Sequence, residues 1–490
     1  MPLCNVIRRL PVTLKPDARR VLIRPFWPAA EPRSHNPVDG GLVLKIILRV
    51  LALTEAEAEQ QWTLISKDFI GRHRELDNYC MGRFRDIAAS LPTDAPLTAT
   101  RQLLIGSYFT NEYSVEAAAL FNPSIVVCPD QTDLPDGALR FVLSLRAVGE
   151  GHISSICFRC GVLTEDFQID LGEPARWVVE ARRVVNESFQ AAWFRTKAKE
   201  LGVDPEILNR VLAALPECFN ESQLKEAILT TCVGSPACVV VGERLMMLAL
   251  SNFSVEFSAD QRYSERAIFP VSPSQTNGIE DTRFVRFVED NGSVTFYATY
   301  TAYDGRMIFP QLMETKDFLR FDFRTLQGAA VQNKGMALFP RRINGSYAML
   351  SRQDDENIRI MFSKELDCWE TSEILARPTF PWEFTKLGNC GSPIELAEGW
   401  LVMTHGVGAM RKYCIGAMLL DKEDPTRIIK RLTEPLLRPE AEHREGYVPN
   451  VIYSCGALVH RDHLLLPYAT SDWFTSFAVI NVQDLLGGMT

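Results

Sequence analysis

Asn277-Gly278-Ile279-Glu280-Asp281-Thr282-Arg283 runs straight into Phe284-Val285-Arg286-Phe287-Val288. The first half is loop-like and carries two adjacent acids and an arginine; the second is strand-like. A carboxylate on a Gly-containing turn at the mouth of a strand can aim at a ligand. The same residues also fit a simpler role, a capped strand with a local ion pair. Working outward, Gly335-Met336-Ala337-Leu338-Phe339-Pro340, Gly391-Ser392-Pro393-Ile394-Glu395-Leu396 and Val448-Pro449-Asn450-Val451-Ile452-Tyr453 each open a further unit. Each unit continues with a Gly- or Asp-containing turn, an aromatic-rich strand and another strand. Their starts lie about 55 residues apart, in the range of propeller blades. A unit at Phe121 makes five. The fold expected is therefore an all-β five-bladed β-propeller with an added α-helical N-terminal region and a helical insert. A β-sandwich with irregular repeats is the alternative, although it does not require such even spacing.

Composition narrows the function. With 490 residues and 46% apolar content, the chain can bury a large core, as two or more units or one repeat domain. A net charge of −9 argues against nucleic-acid or anionic-membrane partners, and leaves room for a locally basic pocket. Met1–Lys15 lacks the apolar core and cleavage site of a signal peptide. No stretch reaches the roughly 18 apolar residues that span a bilayer. The nearest, Leu42–Leu53, holds Lys45 and Arg49. The 12 cysteines are scattered, which suits reduced thiols and a cytoplasmic location. Cys157-x-x-Cys160 and His460-x-x-His463 are weak metal signals, because neither has further ligands in sight, so no metal or organic cofactor is expected.

Residues 1–112 read as a mainly helical N-terminal extension with one strand, Val21–Phe26. Thr54 with Glu57 resembles a capping box, and the acidic run from Glu55 suits a helix start. The catalytic domain is read as 113–490, with strands at Phe121–Val127, Arg140–Arg146 and Ile153–Val162. It is interrupted by a helical insert at about 177–235, in which Asp204-Pro205-Glu206 opens a helix. Beyond Cys238 short strands are expected to the end.

The motifs in order carry a family resemblance. Phe121-Asn122-Pro123-Ser124, Gly278-Ile279-Glu280-Asp281-Thr282-Arg283, Lys334–Pro340, Gly391-Ser392-Pro393 and Gly399-Trp400-Leu401 with His405-Gly406-Val407 match, as do Leu419–Asp421 with Asp424-Pro425, Gly446–Asn450 and Tyr468–Asp472. From about Tyr113 onward the chain resembles glycoside hydrolase family 130, the mannoside phosphorylases and related mannosidases. The resemblance implies a five-bladed propeller with its pocket on the central axis, acting on β-linked mannosides. It also implies Asp281 as catalytic acid, its proton relayed through a sugar hydroxyl. Arg352, Lys386, His405 and Tyr413 resemble the family's phosphate ligands, with Lys334 and Arg146 as further candidates. Each cation alone reads more readily as a solvated surface charge, and His405 reads equally as a satisfied core histidine. For sugar binding the candidates are Asn122, Ser124, Tyr303, Asp304 and Asp472, polar groups beside aromatic faces; Asp304 also fits a plain turn.

Chemistry separates the readings. Inverting hydrolysis needs two carboxyl groups far enough apart to hold water, whereas phosphorolysis needs one acid and a cationic seat for phosphate. The expectation is inverting phosphorolysis of β-1,2- or β-1,4-linked manno-oligosaccharides by inorganic phosphate, giving α-mannose 1-phosphate, a mannosyl-transferring glycosyltransferase activity. A β-mannoside hydrolase on the same scaffold and a non-catalytic glycan-binding propeller are the alternatives. The helical additions are expected to rim the pocket, alter the acceptor or form a homo-oligomer interface.

Overall fold

The computed structural model describes residues 6–28, 40–184, 188–232, 236–305 and 308–490. It divides into two compact units, one made of residues up to Pro16, Ala118–Pro174 and Glu180–Thr490, the other of Asp17–Ala117 and Ala175–Val179.

The larger unit is mostly β. Five antiparallel sheets of four or more strands follow one another along the chain. Each sheet has at one edge its first strand, Ala119–Val127, Ile279–Val288, Lys334–Leu338, Lys386–Asn389 and Ile452–Tyr453. The Ile279–Val288 strand shows why these segments read as unbroken apolar runs. Successive side chains point to opposite faces, and here both faces are covered. Phe284 packs with Val126, Val142 and Phe158 of the preceding sheet. Val285 and Phe287 pack with Met336, Leu338 and Met349 of the following one. A third core joins Phe339 and Leu350 to Trp400 and Val402, and a fourth joins Leu401 and Ile415 to Leu464 and Tyr468. A small fifth cluster joins Ala469 of the last sheet to Ala119, Phe121 and Val148 of the first.

The expected strand between residues 21 and 26 is present as Val21–Pro25, and a second N-terminal strand, unforeseen, lies at Ile7–Leu14. The latter pairs antiparallel with the C-terminal strand Phe474–Asn481, so the two ends of the chain meet in the last sheet. Pro11 and two arginines hide it in the sequence. The register slips between Arg9 and Thr13, which places Pro11 where the ladder is already broken.

Val179–Glu180, Arg182–Val184 and Phe189–Gln190 are short strands, and helices occupy Ala191–Glu200, Pro205–Ala213, Glu221–Thr231 and Pro236–Leu250. Asp204 caps the second through the amides of Glu206 and Ile207. The expectation of strands beyond Cys238 is corrected here, since residues 236–250 are one helix. Its Val239-Val240-Val241 run looks strand-like, but the buried positions Cys238, Val241, Gly242, Leu245, Leu248 and Ala249 follow helical spacing. They share a core with Phe194, Leu208, Val211 and Leu224.

In the smaller unit, helices Gly40–Leu51, Glu55–Phe69, Leu76–Ile87 and Ala99–Ser107 enclose Ile47, Val50, Phe84, Leu104 and Ile105. Thr54 and Glu57 form the capping box. Buried Arg101 donates to the carbonyls of Val50, Leu51 and Leu53, adding donors to acceptors at and just beyond the end of the first helix. Among the described residues no helix is long and apolar enough to cross a membrane.

Candidate active site

Three first strands carry an irregularity at the same place. The ladder slips between Phe121 and Ser124, between Glu280 and Arg283, and between Lys334 and Ala337. Within these slips Asn122, Asp281 and Gly335 have φ of 48°, 52° and 89°. A bulge leaves its residue unpaired and re-aims the side chain. A left-handed non-glycine residue costs about 1–3 kcal/mol and persists where its surroundings dictate it. Asn122 and Asp281 meet each other: the amide nitrogen of Asn122 donates to Asp281 Oδ1 at 2.7 Å.

Asp281 lies in a field of cations. Arg146 Nη1 is 3.7 Å from its carboxylate, and Arg283 donates to its backbone carbonyl at 3.2 Å. Arg283 is buried and also donates to the Tyr453 hydroxyl at 2.6 Å. Neighbouring Glu280 takes Arg146 Nη2 at 2.7 Å and stands 3.7 Å from Lys334 Nζ. Burial pushes the Asp281 carboxyl up, but Arg146, Arg283 and Lys334, with the Asn122 donor, outweigh it and hold the group below its ordinary range. Asp472 behaves oppositely. Burial pushes it up to about 7; Asp281 and Glu280 add to the rise, against the pull of Arg146 and Arg411. Asp472 is also left-handed, with φ 48°.

A second group lies beside the first, because Lys334 and Arg352 are cross-strand partners. Arg352 Nη1 is 2.9 Å from His405 Nε2. A guanidinium can only donate, so Nε2 is the acceptor and the His405 proton sits on Nδ1, which faces Cys390 Sγ at 3.8 Å. Burial first, and then Arg352, Arg283 and Lys386, hold the imidazole neutral, well below its usual titration range. Tyr413 stacks on it with 6.0 Å between ring centroids, and Tyr453 meets it edge-on at 4.9 Å. Lys386 Nζ donates to Asp355 Oδ2 at 2.6 Å, and Asp355 Oδ1 is 3.4 Å from Arg352 Nε. Gly388 makes room for this packing. A Cβ there would lie 2.3 Å from His405 Cε1 and 2.9 Å from Arg352 Nη1.

The structure thus gathers Asp281, Asn122, Arg146, Lys334, Asp472, Arg352, Lys386, His405 and Tyr413. Ser124 is buried one bulge-width away, its hydroxyl accepting the Phe284 amide at 3.0 Å, a strut between two first strands. Tyr303 and Asp304 end the strand next to the acid's own. The Tyr303 carbonyl accepts the Asn277 amide at 2.9 Å, and the Asp304 carbonyl accepts the Thr276 hydroxyl at 3.4 Å. His460 and His463 face each other across a hairpin, one bonded to the Gly137 carbonyl and the other to Asp462.

The chain is similar in sequence to known proteins. The profile of the glycoside hydrolase 130 family, described as beta-1,4-mannooligosaccharide phosphorylase, matches residues 255–490. A 1,2-beta-oligomannan phosphorylase of Thermoanaerobacter sp. (strain X514) is 33% identical over 227 residues, 44% of this chain and 74% of its own length. The chain belongs to glycoside hydrolase family 130. A beta-1,2-mannobiose phosphorylase of the same organism is 33% identical over 244 residues, covering 48% of this chain and 77% of that protein. A beta-1,4-mannooligosaccharide phosphorylase of Ruminococcus albus is 34% identical over 182 residues, 34% of this chain and 54% of that protein.

For a family 130 chain, several site residues escaped the sequence reading. Glu280 and Asp355 each bridge two candidate phosphate cations, and Arg283 and Tyr453 brace the floor beneath Asp281. Glu280 could have been found as the second acid of the opening motif. The pairing of Asp355 with Lys386 crosses from one sheet to the next, and no spacing in the chain announces it.

Proposed function

We propose that this family 130 chain is an inverting β-mannoside phosphorylase built on a five-bladed β-propeller. Five sheets with five inter-sheet cores, the last linking final and first sheets, support the blade reading. The observation that carries the activity is the set of four cations, Arg146, Lys334, Arg352 and Lys386, bridged among the described residues by the two carboxylates Glu280 and Asp355 beside Asp281. Counting charges on the cations and on Glu280 and Asp355 leaves two positive charges, which suits one phosphate dianion. Guanidinium forks fit phosphate oxygens in pairs, and lysines add point charges. Neutral His405 and the Tyr413 hydroxyl add hydrogen-bonding capacity without further charge.

In this reading the mannosyl C1–O bond breaks and the leaving oxygen receives a proton that originates on Asp281. A phosphate oxygen bonds C1 from the opposite face, giving α-mannose 1-phosphate and a shortened β-mannoside. Asn122 and Asp472 hold the sugar. Inorganic phosphate is a co-substrate, and the site residues need no cofactor for this step. A hydrolase has one observation in its favour: the Asp472 carboxyl, pushed up to about 7, has the basicity of a general base.

The reverse reaction separates the two. Given α-mannose 1-phosphate and β-linked mannobiose, the phosphorylase reading predicts elongated oligosaccharides and stoichiometric phosphate release. Free mannose from the mannobiose, with no phosphate release and no elongation, would support the hydrolase instead.

A further inference from the structure

The turn between strands Tyr347–Arg352 and Ile358–Ser363 is held by the Asp354 carboxylate, while the carboxylate of its neighbour Asp355 reaches out of the turn. The Asp354 carboxylate accepts the amides of Glu356 and Asn357 at 3.1 and 2.8 Å and the Asn357 side chain at 3.1 Å, with Arg359 at 3.3 Å. Burial opposes its ionisation, yet these donors hold it down to about 2. The Leu387 amide donates to the Glu356 carbonyl at 2.9 Å, tying the turn to the Lys386 strand. Asp355 follows with φ 60°, and its half-exposed carboxylate faces the candidate phosphate seat. Lys386 and Arg352 are its partners there, at 2.6 and 3.4 Å. The fit to Arg352 is incomplete: buried Nε makes no hydrogen bond.

We propose that Asp355 is a tethered competitor for inorganic phosphate, holding Arg352 and Lys386 in the empty site and giving them up when phosphate binds. The proposal rests on reading that seat as the phosphate site. A carboxylate brings one charge and two acceptor oxygens to two cations. A phosphate dianion brings two charges and more acceptors, including one for the orphan Nε, so it wins the exchange. The empty site needs such a stand-in. Lys386 is pushed toward its neutral form, first by burial and then by Arg352 and Lys334, and the Asp355 hydrogen bond opposes this. Displacing Asp355 therefore weakens phosphate binding below what the cations alone would give, and it leaves a carboxylate at hand to help expel phosphate or a phosphorylated product.

The test is calorimetric titration of inorganic phosphate into the full chain, comparing wild type with Asp355→Asn, Asp355→Gly and Arg352→Ala. Asparagine and glycine both tolerate the left-handed conformation. Circular dichroism and thermal melting identify any variant that has not folded. We expect both Asp355 variants to bind phosphate about two- to fivefold more tightly than wild type, the worth of one partly exposed ion pair. Unchanged or weaker binding in both folded variants overturns the proposal, and weaker binding makes Asp355 a positioning residue for Lys386. If Arg352→Ala abolishes phosphate binding while the Asp355 variants match wild type, the phosphate seat stands and only the competitor role falls. If wild type binds no phosphate at all, the reading of the seat falls, and the competitor role with it.

Discussion

Asp281 and Asp472 both interact with Arg146, yet their carboxyl groups are driven in opposite directions. Asp281 is ionised in the empty site because three cations surround it. An acid must carry a proton, and phosphate supplies the means: its charge cancels the field of Arg146 and Lys334, and the Asp281 carboxyl then rises. Binding of phosphate with mannoside should take up about one proton, measured by calorimetry in two buffers of different ionisation enthalpy. Asp281→Asn should abolish that uptake and lower kcat by about 10²–10⁴-fold while leaving oligosaccharide binding intact. Unchanged turnover in that variant would remove Asp281 as the acid. Asp472 gives a stability prediction. Its folded value of about 7 lies above the ordinary 3.8, so between these pH values the folded chain binds more protons than the unfolded one. Its stabilising contribution is full below that window and is lost as pH rises through it. Melting temperature should therefore fall more steeply from pH 4 to 7 in wild type than in Asp472→Asn. At this scale Asp281 was singled out only through the family motif it matches, because an acid on a glycine-led turn also fits a capped strand. Asp355 was not, because its role depends on a lysine in the next sheet.

Individual elements were legible where a local signal existed. The Asp204-Pro205 start and the Thr54–Glu57 box both cap helices as read. Ile7–Leu14 had no such signal, since a basic, proline-interrupted strand is recognisable only from the partner it pairs with. Leu10 is buried within it, so Leu10→Ala should cost about 2 kcal/mol in chemical denaturation, at the lower end for a core leucine. Helix Pro236–Leu250 misled the reading for the opposite reason: apolar residues cover enough of its surface that a valine run mimics a strand. The Lys386–Asn389 strand carries its own prediction. Gly388→Ala would drive a methyl into His405 and Arg352, so the KM for phosphate should rise by about tenfold or more while affinity for mannoside changes little. Equal losses for both substrates would mean that this strand serves the whole pocket.

Across the whole molecule, the repeat was legible because its starts need unusual backbone. Asn122, Asp281, Gly335 and Gly391 are all left-handed, and so is Asn450 in the fifth unit. Such positions select Gly, Asn and Asp, which from Asp281 onward punctuate the sequence about every 55 residues. The cores between sheets were less visible, since each draws half its side chains from a segment some fifty residues away. The same architecture brings Arg146 of the first sheet, Asp281 of the second, Arg352 of the third and Lys386 of the fourth to one site. That site was legible only as a set of separate charges. Its function rests on the claim that phosphate, not water, receives the mannosyl group. The direct measurement is product analysis from β-1,2- and β-1,4-linked manno-oligosaccharides with and without inorganic phosphate. The account predicts α-mannose 1-phosphate formed only when phosphate is present, and free mannose released at the same rate in its absence would contradict it.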